Sequence, residues 1–326
     1  MPYKVSVTRE IPDPGIPIVR EIAPDARINP DDRVLTRGEL LDYVRGCDGV
    51  LCLLTDPIDA EVLDAAGPQC RIFANYAVGY NNIDVAAATA RGIMVTNTPG
   101  VLTDATADHA WALLFSVARR IVEGDAFMRA GKFEGWGPMM FLGGDITGKT
   151  LGIVGAGRIG AAMALKSRGF GMRVLYADVA RNEELESDLG AQWVDLDTLL
   201  AESDFVSLHV ALTPETVHLI NAERLGKMKP TAYLINTSRG PVVDEIALVD
   251  ALTSRRIAGA GLDVYEDEPA MKPGLADCPN AVIVPHIASA TNWTRSKMAE
   301  MAATNLVAGL RGETPPNLVN PEVLDR

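Results

Sequence analysis

Apolar residues in this chain fall into two rhythms. Short runs at 3–7, 49–53, 71–74 and 93–95 are bounded by turn residues and read as strands. Between them lie helix-like segments. Thr36-Arg37-Gly38-Glu39 opens one with a capping-box pattern, and 60–65 forms a short one. The stretch 11–32 is rich in proline and acidic residues and reads mostly as loop. The alternation predicts a small α/β unit with a parallel sheet.

Asn97-Thr98-Pro99-Gly100 interrupts the pattern. Beyond it, Thr103 is expected to cap a long helix, whose apolar stripe is Ala110, Leu113, Leu114, Val117, Ala118 and Ile121. Residues 131–145, rich in glycine and aromatics, read as an irregular connection. Strand-like runs follow at 151–154, 173–177, 205–210, 232–236, 257–262 and 281–284, with a helix at 244–253. A final amphipathic helix, 291–310, is expected to return to the first domain. The predicted fold class is therefore α/β. It has two doubly wound parallel-sheet (Rossmann-like) domains with an active-site cleft between them. Residues 1–99 plus 290–326 would form a discontinuous substrate-binding domain, and 100–289 the dinucleotide-binding domain.

The chemistry is densest where strand 151–154 runs into Gly155-Ala156-Gly157-Arg158-Ile159-Gly160. Strand, Gly-x-Gly-x-x-Gly and helix in succession form a pyrophosphate cradle. The first glycine makes the turn, the second admits the phosphate, and the third lets helix and strand pack closely. The helix N-terminus adds N–H donors and a positive dipole end. The next strand ends in Asp178, about 20 residues beyond the glycines and placed to accept hydrogen bonds from the adenosine ribose. A 2′-phosphate there would meet a like charge, which favours NAD over NADP, although Arg181 lies close by.

Charge and cysteine content narrow the setting. The formal net charge of −13 disfavours a general nucleic-acid or anionic-membrane surface. Cys47, Cys52, Cys70 and Cys278 form neither a Cys-x-x-Cys pair nor a zinc spacing, so no metal site is expected. Buried thiols, a strand-like N-terminus, no apolar run of membrane length and no peroxisomal tripeptide give a cytoplasmic expectation.

Ligands of open parallel sheets bind at the carboxyl ends of the strands. There the chain carries Thr237-Ser238-Arg239-Gly240, then Asp263-Val264-Tyr265-Glu266-Asp267-Glu268, then Pro285-His286-Ile287-Ala288. The loop Ala77-Val78-Gly79-Tyr80 falls at the end of a strand in the first domain. Arg239 suits bidentate capture of a carboxylate and polarisation of the adjacent carbonyl. His286 is the natural proton donor, because imidazole gains and loses its proton near neutral pH. Glu268 can hold the other ring nitrogen, the N–H groups around Val78 and Gly79 can grip the substrate carboxylate, and Asp263 can meet the nicotinamide carboxamide. His109 reads as core or cleft, His209 as lying beside the adenine or ribose, and His218 as a surface residue; none is expected to act as acid or base.

These motifs, with Asn97-Thr98-Pro99-Gly100-Val101 and Ala77 through Asp84, resemble the NAD(P)-dependent D-2-hydroxyacid dehydrogenases over nearly the full length. Within that family the segment Glu268-Pro269-Ala270-Met271-Lys272-Pro273-Gly274 and the Arg119-Arg120-Ile121-Val122-Glu123 and Phe133-Glu134-Gly135-Trp136 stretches are similar to hydroxypyruvate and glyoxylate reductases. The resemblance implies an Arg239–Glu268–His286 triad, substrate contacts from Val78 and Gly79, and a homodimer. It further implies NADH-dependent reduction of hydroxypyruvate to D-glycerate and of glyoxylate to glycolate. Cofactor contacts are expected from Gly155, Gly157, Arg158, Ile159, Asp178, His209, Thr237, Ser238, Asp263 and Ala288. Tyr80, Leu102 and Trp293 are candidates for tuning the choice of keto acid. Two alternatives remain open: a sister dehydrogenase of phosphoglycerate or D-lactate type, and an NAD-sensing corepressor-like protein.

Overall fold

A computed structural model describes residues 2–325. The chain divides between Leu102 and Thr103 and again between Ser289 and Ala290, so one unit is built from two separate stretches.

That discontinuous unit holds a five-stranded sheet: β1 (Val5–Val7), β2 (Arg27–Ile28), β3 (Gly49–Leu53), β4 (Ile72–Tyr76) and β5 (Met94–Thr96), in the order β2-β1-β3-β4-β5. All its strand pairs are parallel. Helices cover both faces, which is why β3 and β4 are apolar nearly throughout. Leu40, Val44, Val62 and Leu63 pack with Val50 and Phe73 in one core cluster. The helix Asn292–Arg311 lies against β4 and buries Met298, Ala302, Leu306 and Leu310 at helical spacing. Thr36 caps the helix Arg37–Val44, accepting from Glu39 N while Glu39 accepts from Thr36 N at 2.8 Å.

The second unit holds seven strands: β6 (Thr150–Val154), β7 (Arg173–Ala177), β8 (Gln192–Trp193), β9 (Phe205–Leu208), β10 (Tyr233–Asn236), β11 (Gly259–Leu262) and β12 (Ala281–Ile283). Their order is β12-β11-β10-β9-β6-β7-β8, again all parallel, with the winding reversed between β6 and β9. The register brings the strand ends level: Val154 pairs with Ala177 and Leu208, and Asn236 with Leu208 and Leu262. The helix Thr103–Ala118 lies on β10 and β11, burying Ala110, Leu113, Leu114 and Val117. Trp111 donates from its indole to Met163 O at 3.0 Å and clusters with Phe115 and Phe170. Full burial of a side chain such as Leu114, Leu151 or Ile153 contributes about 1.5–3 kcal/mol.

Three sequence expectations need correction. Residues 11–32 are not mostly loop, because they contain the helix Gly15–Ile22 as well as β2. Pro17 misled the reading; it sits in the first turn, where its missing N–H costs nothing, and Val19 supplies the buried contact. Thr103 is the first residue of its helix rather than the cap. Ile121 does not extend the stripe, since it begins a separate helix, Ile121–Arg129, that buries no residue. The stretch 131–145 is irregular, as expected. Among the described residues, no helix is long and apolar enough to cross a membrane.

Candidate active site

The level strand ends of the second unit set out the site. The residues that directly follow β6, β7, β9, β10 and β11 are Gly155, Asp178, His209, Thr237 and Asp263. Each is a position singled out from sequence, and the parallel register carries all five to one edge of the sheet.

The glycine turn is built as its spacing requires. Gly155 has φ +92°, and a Cβ there would lie 2.9 Å from His209 O. A Cβ on Gly160 would overlap the carbonyl oxygen of Gly155. Gly157 is different. Its φ of −72° suits any residue, and a Cβ there would meet no protein atom within 4 Å. Neither strain nor packing asks for glycine at 157, whereas a pyrophosphate lying against the backbone does. Gly157 is also the N-cap of the helix Arg158–Lys166, and no side chain caps that helix. Its first-turn N–H groups, from Arg158 and Ile159 onward, are thus suited to an anion. These residues fit a dinucleotide.

Asp178 is drawn in towards this turn. Its Oδ2 accepts from Ala156 N at 2.7 Å and its Oδ1 from Val179 N at 2.6 Å. Asn182 Nδ2 donates to Ala156 O at 2.8 Å, which fixes the peptide between the first two glycines from the other side. His209 sits at the end of β9 with Nε2 2.9 Å from Ser207 Oγ and 3.2 Å from Met163 Sδ. Burial lowers its pKa to about 3, so the ring is neutral at physiological pH.

Arg239, Glu268 and His286 stand on three neighbouring loops. Asn236 shapes the first: its Oδ1 accepts from Ser238 N and Ser238 Oγ, and its Nδ2 donates to Arg239 O. Thr237 and Ser238 are buried in this turn. Arg239 donates to Ser238 O at 2.7 Å. Burial lowers the guanidinium's pKa, and the negative charge of Glu268 opposes that shift. Gly240 allows the second loop to close in, because a Cβ there would overlap the carbonyl of Tyr265.

In that second loop Glu268 Oε1 accepts from Tyr265 N at 3.0 Å, which leaves Oε2 facing the third loop. His286 Nδ1 lies 2.8 Å from Glu268 Oε2. His286 has φ 51°, a left-handed conformation that costs a non-glycine residue about 1–2 kcal/mol. Asp263 helps to hold it there. This fully buried carboxylate accepts from Ile287 N at 2.7 Å and Ala288 N at 2.9 Å, the two amides that follow His286, while Asp263 O accepts from His286 N. His109 Nε2 lies 3.4 Å from Asp263 Oδ1 but makes no hydrogen bond. Tyr265 OH donates to Val284 O at 2.8 Å and ties the second and third loops together.

Several positioning residues escaped the sequence reading. Asn236, Tyr265 and Asp263 in its loop-holding role are among them. His218 is half-exposed, as a surface residue should be, but it is also paired to Glu266 at 3.1 Å. Glu245 is buried and accepts from Glu266 N and Lys272 N, bracing the acidic loop.

In the discontinuous unit, the loop after β4 presents Val78 and Gly79. Asn97 Nδ2 donates to Val78 O at 2.7 Å and Asn75 Nδ2 to Gly79 O at 2.9 Å, so both peptide planes are fixed by their carbonyls. Tyr80 and Trp293 are exposed, and Leu102 is buried.

A strand–glycine turn–helix cradle, an aspartate at the end of the next strand and an Arg–Glu–His group along one sheet edge fit a nicotinamide-dependent dehydrogenase. The chain belongs to the D-isomer-specific 2-hydroxyacid dehydrogenases: the model for that family's NAD-binding domain matches residues 111–288. It is 56% identical to the glyoxylate reductase of Korarchaeum cryptofilum over 326 residues, covering 99% of this chain and 98% of the relative. It is 54% identical to that of Thermococcus litoralis over 328 residues, covering 99% and 98%. Among solved structures it is similar to a NADPH-dependent glyoxylate/hydroxypyruvate reductase from Sinorhizobium meliloti in complex with NADP and malonate. That match has a TM-score of 0.84 and 33% identity, covering 99% of this chain and 98% of that one.

Proposed function

We propose that this chain reduces glyoxylate to glycolate and hydroxypyruvate to D-glycerate with NADH. The single observation that carries the chemistry is the 2.8 Å contact between His286 Nδ1 and Glu268 Oε2. With Nδ1 committed to the carboxylate, Nε2 is the ring atom that delivers a proton. A nicotinamide held there would supply the hydride for the keto carbon. His286 protonates the keto oxygen as negative charge develops on it, and Arg239 stabilises that charge while holding the substrate carboxylate. On the discontinuous unit, the N–H groups of Val78 and Gly79 are the donors suited to a carboxylate, with their loop fixed through both carbonyls. Glu268 keeps the imidazole oriented, with Nδ1 held 2.8 Å from its Oε2. Thr237, Ser238 and Ala288 would line the nicotinamide end of the dinucleotide and Asp178 and His209 the adenosine end, while Asp263, fully buried, would act there by holding the Ile287 and Ala288 amides.

Preference for NADH follows from Asp178, which would face a 2′-phosphate with like charge. We further propose a cytoplasmic homodimer. The helix Ile121–Arg129 and the connection after it leave Ile121, Met128, Trp136, Met139 and Leu142 exposed, with Trp136 at 84%. So many apolar side chains in one stretch suit contact with a second copy. Light scattering of the wild type and of Trp136→Asp tests this: a dimer that dissociates supports it, and a monomeric wild type overturns it.

Steady-state assay of Arg239→Ala with glyoxylate and NADH tests the mechanism. A fall in kcat/KM on the order of a hundredfold or more is expected. Wild-type kinetics in that variant overturn the assigned role.

A further inference from the structure

The turn after β7 carries a cation that the mechanism does not use. Between Asp178 and the helix Glu183–Leu189, Arg181 is the sole Lys or Arg, three residues past the ribose carboxylate. An arginine at that place is the natural partner for a 2′-phosphate. Left to swing freely, it would offset the repulsion from Asp178.

Arg181 is held elsewhere. Its Nε donates to Glu186 Oε1 at 3.1 Å and its Nη2 to Glu186 Oε2 at 2.5 Å, a two-point grip on one carboxylate. An ordinary surface pair of this kind is weak. This one has a fixed end. Glu186 Oε1 also accepts from Tyr176 OH at 2.5 Å, and Tyr176 is a fully buried residue of β7. The same hydroxyl accepts from Asn182 N at 2.9 Å, locking the turn that carries Arg181. The guanidinium also lies 5.8 Å from the Trp193 ring centre on β8. A buried tyrosine, a carboxylate and an indole therefore fix the arginine's direction.

We propose that Glu186 is a cofactor-specificity residue: it withholds Arg181 from the adenosine ribose, so that a 2′-phosphate meets Asp178 without a compensating cation. The inference rests on the NADH reading above. Asp178 supplies the repulsion and Glu186 removes the remedy, so selectivity is divided between two carboxylates on opposite sides of one turn.

The test uses the full-length protein and four forms: wild type, Glu186→Gln, Arg181→Ala and the double variant. Gln keeps the shape and an acceptor for Tyr176 but loses the charge that holds the guanidinium. Binding of NADH and NADPH is followed by nucleotide fluorescence, and binding of 2′,5′-ADP by calorimetry; kcat/KM with glyoxylate is measured alongside. Glu186→Gln is expected to tighten NADPH and 2′,5′-ADP by on the order of fivefold to tenfold, with NADH changed less than about twofold. The double variant is expected to lose that gain. Unchanged NADPH and 2′,5′-ADP affinity in Glu186→Gln overturns the proposal, as does a gain that survives loss of Arg181. A wild type that binds NADPH as tightly as NADH overturns the cofactor reading instead. The latch is still scored in that case by the change between wild type and Glu186→Gln.

Discussion

His218 reaches Glu266 with its ring, Nε2 to Oε1 at 3.1 Å, while its own backbone N–H donates to Pro241 O at 2.8 Å. One residue thereby bridges the loop two positions after Arg239 and the loop two positions before Glu268. It does so at φ 50°, where a histidine is strained. His218→Ala should lower kcat/KM with glyoxylate by on the order of tenfold, because small displacements of paired reactive groups are costly. His218→Gln, which keeps a side-chain donor, should recover part of the loss. Thermal melts should barely separate the three proteins. Equal kinetics in all of them would show that the bridge has no bearing on turnover.

Gly157 and Gly160 should fail in opposite ways. Gly157→Ala adds a methyl that touches no protein atom, at a φ any residue accepts. Its melting temperature should match the wild type, while NADH affinity falls by on the order of tenfold or more as the methyl meets the pyrophosphate. Gly160→Ala drives its methyl into the Gly155 carbonyl and should cost about 1–3 kcal/mol in urea unfolding. Paired melts and fluorescence titrations distinguish the two, and a destabilised Gly157→Ala would contradict the cradle.

Asp263→Asn should loosen the His286 loop. The carboxylate accepts from both Ile287 N and Ala288 N, and an amide can accept with only one of its two terminal atoms. One buried N–H is left facing an NH2 group, a cost of about 1–3 kcal/mol. We expect lower stability to urea together with a lower kcat. A variant with wild-type stability would mean that the loop is held by other contacts.

His209 predicts part of the acid response. Its folded pKa of about 3 lies below the ordinary 6.5, so between those values the unfolded chain takes up a proton that the folded chain refuses. Stability from this group is complete above the ordinary value and declines as pH falls from there towards 3. His209→Gln should therefore unfold less steeply on acidification. Urea titrations at about pH 7.5 and about pH 5 measure the difference between the two proteins. An identical pH dependence would remove His209 from the account.

Much of this was legible in the chain because strand ends write themselves in sequence. An apolar run followed by Gly155, Asp178, Thr237 or Asp263 marks both where a strand stops and what it presents. Glu268 and His286 could be paired on the same ground, since their strands are neighbours. The rest depended on contacts between distant residues. Proline-rich 11–32 hid a short helix, Gly15–Ile22, in which only Gly15 and Val19 are buried. His218 looked like a solvated side chain because its partner, Glu266, lies far along the sequence. The hold of Glu186 on Arg181 likewise requires the buried hydroxyl of Tyr176, which periodicity does not reveal.

The helix Asn292–Arg311 has a consequence for how the protein is made. It fills the core of a unit whose five strands were all synthesised before Thr103, with the whole seven-stranded unit translated in between. On the ribosome, the later-encoded unit can therefore reach its final packing first, while the earlier one waits with one face of β4 uncovered. Ribosome stalling before Asn292 would strand an incomplete nascent chain beside a finished nucleotide fold, a ready client for chaperones.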